Sequence, residues 1–228
     1  MSETSIQLNY DDMLKAGMHF GRKKTVYNPK MGKFVFTVKE GICIIDLLKT
    51  QVELNVAAEF LKKALAENGL VLFVGLTKQS VDSIKDLADT LNMPYVIDRW
   101  LGGTLTNFKV ISARVKKLEE MEKQLTTGEL DKYTKKERLM FERELKKMTT
   151  HFGGLRKLTR IPDVVFVSSL KESALPVHEA KKMGVKLVAI ANTDSNPEEA
   201  SCIIPANDRS KKSVDLIIDA LKGELSNK

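Results

Sequence analysis

Between Lys15 and Lys39 the chain carries Lys15, Arg22, Lys23, Lys24, Lys30, Lys33 and Lys39 and not one Asp or Glu. Like charges crowded together without compensation repel one another. A solvated basic surface would tolerate that, but a polyanionic partner is the more economical account. The same stretch mixes other useful chemistry: Gly17-Met-His19-Phe20-Gly21-Arg22-Lys23-Lys24, then Tyr27-Asn28-Pro29-Lys30-Met31. Cations neutralise phosphates, glycine permits close approach, and rings or a guanidinium plane stack on exposed bases or sugars. That combination suits structured RNA better than regular DNA. A packing role for Phe20, Met31 and His19, pressing the segment onto a core, is the competing account of the apolar members.

Other chemistry fails on inventory. The three histidines, His19, His151 and His178, and the two cysteines, Cys43 and Cys202, fall at no metal-ligand spacing, so no metal site is expected. Both cysteines lie in apolar runs and read as buried free thiols, with no disulfide framework and no reactive nucleophile. No G-x-S-x-G elbow, P-loop or G-x-G-x-x-G occurs. Gly75-Leu-Thr77-Lys78 reads as a turn from strand to helix in which Thr77 caps the helix. Gly102-Gly103 lets backbone pass close to its own core or to a ligand. Asn192-Thr-Asp194-Ser-Asn196-Pro197 follows a strand, where a catalytic or ribose-binding acid would sit, yet Asp and Asn serve equally well there as turn formers. No cofactor is expected.

The elements that must position these residues follow from hydropathy. The chain has 228 residues, 43% of them hydrophobic, and its 37 Lys plus Arg against 30 Asp plus Glu leave a net charge of +7. No apolar run approaches the roughly 20 residues that cross a bilayer. Phe34–Val38 and Ile42–Asp46 read as a hairpin turning at Lys39-Glu40-Gly41. Thr50-Gln-Val-Glu53 has capping-box spacing, so a helix is expected to start there and to end at Asn68-Gly69. Unbroken runs at 70–74, 94–97, 164–167, 187–190 and 203–204 alternate with amphipathic helices. Strands with water on one face would alternate polar and apolar residues, so these are expected in a parallel sheet covered on both sides. Asp208 and Ser210 offer N-cap oxygens to the last helix.

The densely charged stretch from Phe108 to Phe152 breaks that rhythm. Ile111, Val115, Leu118, Met121 and Leu125, then Phe141, Leu145, Met148 and Phe152, are spaced for two long helices with narrow apolar seams. Thr126-Thr-Gly128 interrupts them, Thr134-Lys-Lys-Glu137 has capping-box spacing, and Gly153-Gly154 closes the second. An antiparallel helical hairpin, inserted in the α/β domain, is expected. The division is then a basic N-terminal arm over 1–33, an α/β domain over 34–104 and 157–228, and a hairpin, or coiled coil, over 105–156.

Several motifs in register carry a family resemblance: Gly17-Met-His-Phe-Gly21, Asn28-Pro-Lys-Met31, Gly41-Ile42 with Ile44-Ile-Asp-Leu47 and Lys49-Thr50, Leu72-Phe-Val-Gly75, Arg99-Trp-Leu-Gly-Gly-Thr-Leu-Thr-Asn-Phe108, Ile161-Pro-Asp163, Asn192-Thr-Asp-Ser-Asn-Pro197 and Ile204-Pro-Ala-Asn-Asp208. Together they resemble the bacterial small-subunit ribosomal protein S2 family over nearly the whole chain. The resemblance implies a flavodoxin-like, Rossmann-like three-layer α/β sandwich with a protruding helical hairpin, bound to 16S ribosomal RNA between head and body of the small subunit. It also implies neighbouring ribosomal proteins as partners, including the large messenger-binding protein in bacteria that have it. The absence of an Arg/Ser-rich leader favours the bacterial cytoplasm. Two departures stand out: Arg22 occupies the position of the family's usual histidine, and Val74-Gly-Leu-Thr-Lys78 carries a residue more than the usual Val-Gly-Thr-Lys turn. The first keeps a phosphate-seeking group; the second displaces Lys78.

The leading expectation is therefore a structural, non-enzymatic RNA-binding component. Arg22, Lys23, Lys24, Lys30, Lys33 and Arg99 are its leading phosphate contacts and Asn28 and Asn107 its polar ones. Arg209, Lys211 and Lys212, at the start of the last helix, form a second set. The alternatives are a nucleotide-dependent enzyme of doubly wound fold using Asp194 or the Thr77 turn, and a module that grips an acidic protein with the hairpin.

Overall fold

The N-terminal basic segment folds into regular elements. The computed structural model describes residues 6–127 and 134–226. Helix α1 (Tyr10–Lys15) is capped by the Asn9 side chain, which accepts from the Asp11 N–H. Strand β1 (Phe20–Lys23) follows, then two short 3-10 turns, and then β2 (Val35–Lys39) and β3 (Ile42–Ile45). The last two pair antiparallel as the expected hairpin, turning through Glu40 and Gly41 at φ 51° and 77°. Strand β1 adds on the far side of β3, giving the order β1-β3-β2. Of the candidates for packing, Met31 is fully buried while Phe20 is exposed, its ring 4.0 Å from that of His19. Met13 and Met18 are fully buried too.

Helix α2 (Leu47–Ala66) starts three residues before the expected Thr50. Asp46 is the N-cap, accepting from the Leu48 N–H at 3.0 Å, while the buried Thr50 hydroxyl lies 3.2 Å from the Asp46 carbonyl and 2.6 Å from the Pro205 carbonyl. Thr50 already stands inside the first turn, its N–H donating to the Asp46 carbonyl at 3.0 Å, so it is not the residue that caps the start. Strand β4 (Val71–Val74), helix α3 (Val81–Thr90) and strand β5 (Tyr95–Val96) come next. Thr77 does not cap α3: Ser80 holds the N-cap position, and the two hydroxyls bond to each other at 3.0 Å.

Helices α4 (Phe108–Thr126) and α5 (Lys135–Phe152) fill the charged stretch. Ile111, Val115, Leu118, Met121, Met148 and Phe152 are buried, whereas Leu125 is exposed. Lys117 pairs with Glu144 across them at 3.2 Å. The capping box forms as its spacing requires: the Thr134 hydroxyl accepts from the Glu137 N–H, and Glu137 accepts from the Thr134 N–H. Gly128, expected to interrupt the pair, lies outside the described residues. Gly153 and Gly154 do not end α5 through a left-handed cap; the chain tightens into a 3-10 turn, and Gly154 is there because a Cβ would collide with the Tyr95 backbone and ring.

Strand β6 (Val164–Val167), helix α6 (Ala174–Met183), strands β7 (Lys186–Ala191) and β8 (Cys202–Pro205) and helix α7 (Lys211–Ser226) complete the chain. The parallel sheet runs β5-β4-β6-β7-β8. Counted in order of entry this is 2-1-3-4-5, the flavodoxin-like doubly wound order. Alternate residues of each strand serve different cores. Val71, Phe73, Val164, Phe166, Val188 and Ile190 face α2, α3 and α7; Leu72, Val74, Val165, Val167, Leu187 and Ala189 face α6, Trp100, Leu105 and the seam of α4. A sheet covered on both faces explains why its strands read as unbroken apolar runs.

Candidate nucleic-acid interface

In a doubly wound sheet the carboxyl ends of the strands are where ligands settle. Here that edge is filled by the protein itself. At the switch point between β4 and β6 the buried hydroxyls of Ser80 and Ser168 bond at 2.8 Å. Over β6, β7 and β8 lies the N-terminal segment, fastened by backbone and side chain. The Ser210 hydroxyl donates to the Ala16 carbonyl (2.7 Å), the Asn207 side chain to that of Gly17 (3.0 Å) and the Asn207 N–H to that of Met18 (3.1 Å). Further along, the Arg22 N–H donates to the Thr193 hydroxyl at 2.8 Å and the Asn28 N–H to the Thr193 carbonyl at 2.9 Å. Gly21 makes this approach possible, since a Cβ there would stand 2.7 Å from the Cys43 carbonyl and from Thr193 Cγ2.

Arg22 turns inward beneath this strand. Its Nε lies 3.4 Å from Asp194 Oδ2 and its Nη2 3.4 Å from Asp208 Oδ1; its side chain is 13% exposed and theirs 4% and 1%. Asp208 also accepts from the Ser169 hydroxyl (2.7 Å) and the Asn192 amide (3.0 Å), and Asp194 from Lys171 (2.9 Å). Asp208, expected as a cap of α7, is thus spent on anchoring the segment, while Ser210 stands directly before α7, its carbonyl accepting from the Val214 N–H at 3.1 Å and its hydroxyl donating to the segment. Asp194, weighed as a catalytic acid, is buried and ion-paired.

The remaining cations divide by what they touch. Lys30 pairs with Glu198, Arg209 with Glu172 at 3.7 Å and Lys211 with Asp82 at 2.8 Å. Lys23, Lys24, Lys39, Arg99 and Lys212 are exposed and none has an ion pair to a described residue. Lys33 is exposed likewise and sits 4.7 Å above the Phe34 ring. The structure thus gathers Lys23 and Lys39 onto the small sheet, with Lys24 directly after β1. Asn28 is a structural cap, its side chain accepting from the Lys30 N–H at 3.0 Å, whereas Asn107 begins α4 without a side-chain cap bond and is exposed.

Arg99 and Asn107 flank a loop held by a residue that no sequence motif flagged. Glu179 of α6, 6% exposed, accepts from Trp100 Nε1 (3.0 Å) and the Gly103 N–H (2.8 Å) on one oxygen, and from the Leu105 N–H (3.0 Å), the Thr106 N–H (3.1 Å) and the Thr106 hydroxyl on the other. Burial pushes its pKa up, but the donors from Trp100, Thr106, Gly103 and Leu105 outweigh it and hold the carboxyl below its ordinary value. Of the glycine pair, Gly103 at φ 93° needs glycine and Gly102 faces open space. Cys43 is buried and Cys202 half-buried; burial pushes both thiols up, with Lys24 and Thr193 opposing it at Cys43 and Glu53 adding to it at Cys202.

Fold and site define a doubly wound α/β protein whose own N-terminal strand closes the carboxyl edge of its sheet and whose small second sheet turns lysines to solvent. The family of ribosomal protein S2 matches residues 13–226, and the chain belongs to it. It is 44% identical over 216 residues to the small ribosomal subunit protein uS2 of Bifidobacterium animalis subsp. lactis, covering 92% of this chain and 70% of that one. To uS2 of Thermus thermophilus it is 39% identical over 213 residues, covering 93% and 83%.

Proposed function

We propose that this chain is a structural, non-enzymatic constituent of the small ribosomal subunit, held to 16S ribosomal RNA by phosphate contacts. Membership of the ribosomal protein S2 family supports the role, and one observation supports the surface: Lys23, Lys24, Lys33 and Lys39 cluster on or beside one small sheet, exposed and without carboxylate partners among the described residues. Cations left unpaired by their own protein are the ones free to displace counterions from phosphate. Arg99 and Asn107, at the ends of the loop held by Glu179, and the unpaired Lys212 are further contacts, and Lys30, Arg209 and Lys211 join them by exchanging a surface carboxylate for a phosphate. Exposed pairs of that kind are weak, so the exchange costs little.

In this reading the basic segment over 1–33 and the small sheet form the RNA-facing side of the α/β domain over 34–104 and 157–228. Helices α4 and α5 form the hairpin insertion over 105–156, whose charged faces meet neighbouring ribosomal proteins. Docking of the large messenger-binding protein and a cytoplasmic location belong to the same reading, which membership of the family supports. No helix of the described residues is long and apolar enough to cross a membrane.

The test is a salt titration of binding to small-subunit ribosomal RNA. Replacing Lys23, Lys24 and Lys33 with Ala should lower affinity and reduce the log–log salt slope by about one unit for each phosphate no longer neutralised. An unchanged slope removes this sheet from the interface.

A further inference from the structure

Asp194 and Asp208 are two carboxylates almost wholly removed from water at the ends of neighbouring strands, and such groups are costly unless a charge answers them. Lys171 reaches Asp194 from a half-exposed position, but among the described residues Asp208 meets only neutral donors, from Ser169 and Asn192, apart from Arg22. Asp194 Oδ1 is buried without a hydrogen-bond partner. Arg22 reaches both acids because its planar guanidinium donates through Nη2 to Asp208 while its Nε stands 3.4 Å from Asp194 Oδ2 as an ion pair without a hydrogen bond, a span that a compact ammonium does not reproduce. Leaving for a phosphate would strand Asp208 and leave Asp194 to Lys171 alone.

We propose that Asp194 and Asp208 form a guanidinium-binding pocket at the carboxyl ends of β7 and β8, filled in cis by Arg22, and that Arg22 is a latch holding β1 on the body. Its consequence for Lys23 and Lys24, which the latched strand positions, rests on the RNA-binding reading above; the pocket itself does not.

The full-length chain is compared with its Arg22→Ala and Arg22→Lys variants, first without RNA, by amide hydrogen exchange. Arg22→Ala should exchange about tenfold faster over residues 20–24 and 42–45, with β6 and β7 unchanged, because the opening is local. Methylguanidinium at millimolar concentration should restore protection saturably, and tetramethylammonium at equal ionic strength should not, since only the former presents N–H donors to the vacated carboxylates. Arg22→Lys should recover less than methylguanidinium does. Unchanged exchange in Arg22→Ala, or equal effects of the two salts, overturns the pocket. Should Arg22→Ala not fold, Asp194→Asn with Arg22 intact should loosen the same segments and gain nothing from methylguanidinium; protection equal to the unaltered chain overturns the proposal.

RNA titration separates this from the broader reading. With methylguanidinium present, Arg22→Ala should show the unaltered salt slope. A slope lower by about one unit under rescue makes Arg22 a phosphate contact and refutes the latch. Rescue of exchange with RNA affinity unmoved throughout leaves the pocket standing and counts against the sheet as the RNA surface.

Discussion

Glu179 is the residue through which the loop bearing Arg99 and Asn107 is most directly tested. Glu179→Gln preserves shape but turns one acceptor oxygen into a donor amide. If that amide faces Leu105 and Thr106, the exposed Thr106 can turn its N–H to water, while Leu105, 1% exposed, cannot. A buried N–H left without an acceptor costs about 1–3 kcal/mol, and the bonds kept by Trp100 and Gly103 lose their charge assistance, worth about 1 kcal/mol each. The expected loss is about 3–5 kcal/mol, or a fall in Tm of roughly 6–20 °C for a chain of this length. The pH dependence carries the sharper signature. Because the folded carboxyl is held below its ordinary value of 4.5, its contribution is fully present above that value and is lost as pH falls through the lower folded pKa. Trp100 is the only tryptophan and donates to this carboxylate, so its fluorescence reports the event directly. Asp163, held low by Arg160 and by the Leu70 N–H, titrates in both proteins and cancels in the difference. Denaturant melts of both proteins between pH 3 and pH 7 should therefore converge toward acid. Equal stability at pH 7, or curves that stay parallel down to pH 3, would refute the reasoning.

Two further substitutions probe how the small sheet and α2 are seated. Gly21→Ala places a methyl 2.7 Å from the Cys43 carbonyl and the Thr193 side chain, and should cost about 1–3 kcal/mol in urea melts as the strand shifts off the sheet edge. Thr50→Val removes the donor to the buried Pro205 carbonyl at 2.6 Å and should cost about 1–2 kcal/mol by the same measurement, while circular dichroism at 222 nm stays unchanged, because Asp46 and not Thr50 caps α2.

The sheet was legible from hydropathy because its strands are covered on both faces, and burial on both faces erases alternation. The start of α2 was not. Spacing around Thr50 satisfies a capping box locally, but the hydroxyl is claimed by Pro205, 155 residues further along the chain. Thr77 and Asp208 misled likewise, the one bonded to the Ser80 hydroxyl and the other accepting from Ser169 and Asn192, whereas Ser210 stands directly before α7 with its carbonyl accepting from the Val214 N–H. Glu179 gave no signal at all, since an acid inside an amphipathic helix ordinarily faces water, and only the folded loop of 100–106 supplies the donors that make its burial tolerable.

The cationic run shows most clearly where a one-dimensional reading stops. Its charge is visible as a sum, but function depends on which charges the fold leaves unspent, and that is decided by acids far away in sequence. Arg22 is answered by Asp194 and Asp208 and Lys30 by Glu198, all from the last third of the chain, where Asp and Glu read as ordinary turn and helix residues. Lys23, opposite Ile42 on β3, and Lys24, in the turn directly after β1, are exposed and clear of every described carboxylate, while the Arg22 side chain is 13% exposed against Asp194 and Asp208. The pairing of β1 with β3 is irregular between Phe20 and Lys23, and across that irregularity the chain passes from an inward Arg22 to an outward Lys23. A run of like charge is therefore a mixture of cations spent on the protein's own acids and cations left exposed, and only the folded chain assigns which is which.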